Sequence, residues 1–125
     1  PTVISVWARR SDYGIVNARV GYEVSDTDSS ETIYTGWMTK NTPGEKFEIA
    51  IPEGTLSALC IRERELHGIV NIGVKMEGSP DITWVTDDQN GEFKEVSLLG
   101  NTFLGFQGKE NGGYGIVDLR VIFGA

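Results

Sequence analysis

An all-β fold is what this sequence of 125 residues predicts, on three observations. A short phrase recurs as Tyr13-Gly14-Ile15-Val16-Asn17, His67-Gly68-Ile69-Val70-Asn71 and Tyr114-Gly115-Ile116-Val117-Asp118. After each phrase, apolar and polar residues alternate with the period of two that a half-buried strand requires. Finally, the chain holds 16 glycines, well above ordinary usage. Glycine or proline interrupts most segments before helical i, i+3, i+4 spacing can establish itself.

The strand-like runs follow in order. Those near 2–9 and 14–24 open the chain. In the second of them Val16, Ala18, Val20, Tyr22 and Val24 fall on one face, assigned to the core, with Ile15, Asn17, Arg19, Gly21 and Glu23 opposite. The acidic linker 25–31 comes next. Four runs near 31–40, 45–52, 55–63 and 68–77 follow it, then four more near 81–86, 92–99, 102–108 and 115–123. Alternation places Val70, Ile72, Val74 and Met76 inward in one closing strand, and Val117, Leu119, Val121 and Phe123 inward in the other, with Ile69 and Ile116 outward.

The last two groups are copies of one another. Gly68 and Gly115 stand 47 residues apart, as do Trp37 and Trp84, Leu59 and Phe106, and Arg62 and Lys109. Gly44-Glu45-Lys46-Phe47-Glu48-Ile49 answers Gly91-Glu92-Phe93-Lys94-Glu95-Val96, with the two phenylalanines one residue out of step. The chain therefore reads as one domain over 1–125, with repeat 1 at 1–24, repeat 2 at 31–77 and repeat 3 at 81–124. One four-stranded unit cannot bury its own apolar face, so three units sharing an axis predict a triangular prism, with two packed sheets as the rival. The first wall is expected to be truncated to two strands, an open edge through which copies could form a homo-oligomer.

Composition narrows the partners. A formal net charge of -7, with no run of Lys or Arg, excludes the basic footprint a nucleic acid needs. No stretch is long and apolar enough for a membrane-spanning helix. Cys60 is the lone cysteine, so no intrachain disulfide is possible, and a cytoplasmic setting is as compatible as secretion. Its apolar neighbours predict a buried, inert thiol. Pro1 fits removal of an initiator Met, and equally removal of a leader.

Each recurring phrase offers a ring (Tyr13, His67, Tyr114), a glycine (Gly14, Gly68, Gly115) and an amide or acid (Asn17, Asn71, Asp118). Neutral sugars need that set: a ring face for C–H patches and fixed polar groups for hydroxyls. Turn formation and strand entry call for the same residues, so both readings stay open. The matched tryptophans, Trp37 and Trp84, with Trp7, read as core or sheet-face packing.

The stretch from 91 to 123, with Gly105-Phe106-Gln107-Gly108, a glycine loop around Tyr114 and a closing amphipathic strand, resembles the end of jacalin-related lectins. The repeated Gly-Ile-Val-Asn theme is similar to vitelline membrane outer layer proteins. Both resemblances imply a β-prism of three Greek-key sheets. The first implies a lectin that binds sugar without metal, through a Gly-Tyr loop whose Asp accepts from sugar hydroxyls; here that acid, Asp118, comes one residue later. The sugar-binding residues expected are Gly113, Tyr114, Gly115 and Asp118, then Asp12, Tyr13, Gly14 and Asn17, and His67, Gly68 and Asn71. The expected partners are glycans or glycoproteins, and the alternative is a structural coat or toxin-targeting module that contacts protein.

No enzyme and no cofactor are expected. His67 is the sole histidine, and Glu63, Glu65, Glu95 and Glu110 stand in no catalytic signature. The acidic segments 26–31 and 87–92 lack the glycine and glutamate a calcium loop places at its sixth and twelfth positions. They read as turns, with Asn90-Gly91 as a hairpin signal.

Overall fold

The computed structural model describes residues 1–9, 14–25, 29–40, 44–64, 68–111 and 115–124. Of these, 71% lie in strands and none in a helix. The strands are β1 (Val3–Arg9), β2 (Gly14–Ser25), β3 (Ser30–Tyr34), β4 (Glu45–Ala50) and β5 (Leu56–Arg64). They continue as β6 (Gly68–Met76), β7 (Ile82–Trp84), β8 (Glu92–Ser97), β9 (Thr102–Asn111) and β10 (Gly115–Gly124). Three antiparallel sheets result, with orders β3-β2-β1-β4, β7-β6-β5-β8 and β10-β9. In the first two, three strands meander and the fourth returns beside the first, which is a Greek key.

Among the described residues the two-stranded sheet is the last, not the first. A four-strand repeat carries no mark of where it begins, and strands pair across the linker that sequence reading takes as a boundary. Thus β2 pairs with β3 from Gly21 opposite Tyr34 to Ser25 opposite Ser30, and β4 occupies the other side of β1. Each complete sheet joins the last two strands of one sequence copy to the first two of the next. The open edge expected at the first sheet therefore belongs to β9 and β10.

Asn90-Gly91 is likewise no hairpin, because β8 pairs with β5 rather than with β7. The turn is made by Asp88, whose carboxylate accepts from the Asn90 backbone N–H at 3.0 Å and from its Nδ2 at 2.8 Å.

Strict alternation fails at one matching place in each copy. Val16 is skipped between the pairs Trp7–Asn17 and Ala8–Ile15, Val70 between Arg62–Asn71 and Glu63–Ile69, and Val117 between Lys109–Asp118 and Glu110–Ile116. A bulge sets two residues opposite one and reverses the facing of everything beyond it. Ile15, Ile69 and Ile116, assigned outward by alternation, therefore join Ala18, Val20, Ile72, Val74 and Leu119 in the core. Tyr22, Val24 and Phe123, assigned inward, are exposed. The core is dominated by fully buried Ile4, Val6, Leu59, Ile72 and Leu98, each contributing about 1.5–3 kcal/mol of burial.

The bulges give the recurring glycines their task. Gly14, at φ +63, lies against the next copy so closely that a Cβ would be 2.8 Å from the Cα of Val70. Gly68, at φ +91, stands in the same relation to Val117 at 2.9 Å. Gly115, at φ +88, stands so to Val16 at 2.6 Å. First copy onto second, second onto third and third onto first, the contacts close a ring. Only a residue with no Cβ accepts both that conformation and that approach.

Cys60 is fully buried in β5, and burial, with the Glu95 charge next in effect, pushes its thiol from 9.0 up to about 11. Folding thus favours the protonated form. Its contribution is complete below pH 9, where both states keep the proton, and disappears as pH rises through about 11, a loss of about 2–3 kcal/mol. A thiol-exchange reagent at pH 8 is expected to leave Cys60 unmodified until denaturant unfolds the chain, and melting temperature is expected to fall between pH 9 and 11. Rapid native-state labelling would contradict this burial.

Candidate functional site

Among the residues expected to bind sugar, Asp12, Tyr13, His67, Gly113 and Tyr114 lie outside the described residues. Gly14, Gly68 and Gly115 are buried in the ring, with no surface to offer a ligand. Asn17 and Asn71 are 0% exposed. The Asn71 Oδ1 accepts from the N–H groups of Ile72 at 2.9 Å and Thr86 at 3.1 Å, and its Nδ2 donates to the carbonyls of Thr86 and Asp88, both at 2.9 Å. That is the full capacity of a carboxamide. Asn17 repeats the scheme, accepting from Ala18 at 3.0 Å and Thr39 at 2.8 Å and donating to the Thr39 carbonyl at 2.9 Å. Both side chains clasp the segment that follows the third strand of their sheet, and neither reaches the surface.

Asp118 holds the matching position in β10, opposite Lys109, and is half-buried. The bulge at Val117 absorbs the extra residue by which this acid departs from the lectin pattern. Among the described residues no segment lies against it as Thr39 lies against Asn17, and its carboxylate has no hydrogen-bond partner.

A different group is assembled on the outer face of the first sheet. Alternation puts Ser5 and Trp7 of β1 outward, and the ladder sets Arg19 and Glu48 on either side of Ser5. The Arg19 guanidinium carbon lies 3.8 Å from the Tyr34 ring centre and 4.2 Å from that of Trp37. Trp7 stands 6.4 Å from Trp37, tilted by 52°. The Tyr34 hydroxyl donates to Glu48 Oε1 at 2.9 Å; that bond first, then desolvation, holds the phenol above its ordinary pKa. All three rings are half-buried. The second sheet carries a looser version, with Arg62 at 5.4 Å from Trp84 and 5.9 Å from Phe93.

The tryptophans thus pack on sheet faces and not in the core. Sequence reading missed the group because Arg19, Tyr34 and Trp37 are unremarkable singly. The available signal was the matched Trp37–Trp84 pair, each of which has an arginine near its ring, Arg19 and Arg62. Between rings, a cation and a carboxylate, this face can stack on apolar patches and hydrogen-bond hydroxyls or anions.

Two concavities accompany it. A groove of about 550 Å³ with mixed lining runs past Thr2, Glu23, Ile51, Glu53, Leu56 and Asn101. A smaller one of about 220 Å³ lies between Thr35, Gly36 and Met38 and the β9 residues Leu104, Gly105 and Phe106. Among the described residues, no group of three His, Cys, Asp or Glu could hold a metal ion, and no helix is long and apolar enough to cross a membrane. No family model, curated protein or solved structure matches the chain.

Proposed function

We propose that this chain is a β-prism and that it binds glycans without catalysis. The ring of three glycine contacts, the two Greek keys and the three matching bulges support the prism. The observation that carries the ligand is the outer face of the first sheet, where Trp7, Tyr34 and Trp37 stand beside Arg19 and Glu48. Half-exposed rings on a sheet face supply stacking area at little entropic cost, while the guanidinium and carboxylate supply direction. Such a shallow site binds weakly, with Kd of roughly 1 mM, about 4 kcal/mol. Useful avidity then comes from several copies on one surface.

A glycan array with the purified chain tests the reading. Retention is expected, and Trp37→Ala should weaken it at least tenfold, about 1.4 kcal/mol. Loss with Tyr114→Ala and not with Trp37→Ala would move the site to the glycine-rich third loop. No retention of any glycan would overturn sugar binding altogether. The protein-contacting alternative has its own observation, the open edge of β9.

A further inference from the structure

We propose that the outer edge of β9 accepts a single extended strand from a partner polypeptide, added antiparallel, with an apolar side chain seated in the groove beside Met38. In the other sheets this side of the corresponding strand is taken: β4 lies along β1 and β8 along β5. Among the described residues, nothing lies along β9 there. The internal repeat therefore states what the place is built for.

Register makes the statement specific. Trp7, Arg62 and Lys109 are equivalent, because they pair with Asn17, Asn71 and Asp118. Carrying the β1–β4 ladder onto β9 sets the position of Phe47 opposite Gly108, that of Ile49 opposite Phe106 and that of Lys46 opposite Lys109. In β4, Phe47 and Ile49 pack against the core. In β8, the position that matches Phe47 is Lys94, half exposed and paired with Glu63 at 3.2 Å, while Phe93 turns outward onto Trp84. The difference tracks the neighbour: the segment Thr86–Asn90 of the second sheet borders Phe47. Beside β9 the Thr35–Met38 segment of the first sheet provides such a neighbour, so an apolar residue of the β4 kind is called for. Gly108 puts no side chain of its own there, and the Met38 methyl, 2.9 Å from where its Cβ would be, fills that place as the apolar surface the incoming residue meets. Leu104 of β9, at 46% exposure, is apolar surface left uncovered there, and Ile122 of β10, at 41%, lines the same groove. The outward position opposite Lys109 calls for an acid.

A groove of about 220 Å³ has room for a few side chains and falls below the usual range for small-molecule sites. A lone strand adding to a sheet edge gains main-chain hydrogen bonds for affinity and alternate side chains for specificity.

The probe is a synthetic peptide with the sequence of residues 44–51 carrying Lys46→Glu, titrated into isotope-labelled protein while backbone amide shifts are followed. Expected is saturable binding below 1 mM, with shifts concentrated in β9 and residues 35–38. The same peptide with Phe47→Lys should bind at least tenfold more weakly. Leu104→Asp in the protein, a surface change that leaves the fold intact, should weaken binding at least fivefold. No shifts at 1 mM, or equal affinity for both peptides, overturns the proposal. A concentration-dependent dimer that excludes the peptide assigns the edge to a second copy and overturns it too. None of these outcomes depends on whether glycans are retained.

Discussion

Gly68→Ala is expected to lower the free energy of unfolding by about 3–5 kcal/mol, a large share of the stability of an ordinary domain. Two costs combine. At φ +91 an alanine is strained by about 1–3 kcal/mol. Its methyl would also run into the backbone of Ile116 and Val117. That neighbour is a strand held in its own ladder, so relief requires two copies to part, at a further cost of about 1–3 kcal/mol for overpacking. Gly14→Ala and Gly115→Ala face the same combination in the other two contacts and should behave alike. Gly78 is the control. At φ +79 it has open space where a Cβ would go, so Gly78→Ala should cost the conformational part alone. Urea titrations of the four variants measure the difference, and parity between Gly68→Ala and Gly78→Ala would remove the contact from the explanation.

Asn71→Leu is the second large effect, about 3–5 kcal/mol. The replacement has similar volume and is apolar, so the site remains filled. What disappears are four hydrogen bonds, leaving the N–H groups of Ile72 and Thr86 and the carbonyls of Thr86 and Asp88 without the partner they now have. Each unsatisfied buried group costs about 1–3 kcal/mol, and the total is moderated because the 86–90 segment can turn toward water. The change should therefore also be local: amide exchange at Thr86 and Asp88 should accelerate more than at Ile61 or Leu59 in the neighbouring strand. Leu104→Asp at the surface should by contrast stay within about 0.5 kcal/mol of the parent. A near-neutral Asn71→Leu would mean that the carboxamide is not the clasp its geometry describes.

Much of the architecture was legible because alternation and repetition are both written in side chains. The runs near 2–9, 14–24, 68–77 and 115–123 are strands to within a residue or two. Three things were hidden. Pairing across the 25–31 linker fixes which wall is short, and a repeat read as a cycle has no beginning to reveal it. The bulges at Val16, Val70 and Val117 reverse facing without altering composition, so period-two reading put Ile15, Ile69 and Ile116 on the wrong side. Asn17 and Asn71 looked like ligand groups because a buried carboxamide holding backbone and an exposed one holding sugar use the same atoms. The glycines suffered the same ambiguity, and only the approach of a second backbone separates the two uses. On the proposed binding face, Trp7, Arg19, Tyr34, Trp37 and Glu48 come from four separate parts of the chain and meet through the β1–β2, β1–β4 and β2–β3 registers.

In the proposed prism the three recurring phrases close on each other around an axis, glycine against bulge. A nuclear Overhauser spectrum of the labelled protein tests it at the atoms concerned. It should contain cross-peaks from the Gly14 Hα protons to Val70 Hα, from Gly68 to Val117 and from Gly115 to Val16, all three present and of comparable strength. Absence of any one of them in the folded protein, or a Gly14 proximity to Val117 in place of Val70, would break the ring and with it the proposed prism.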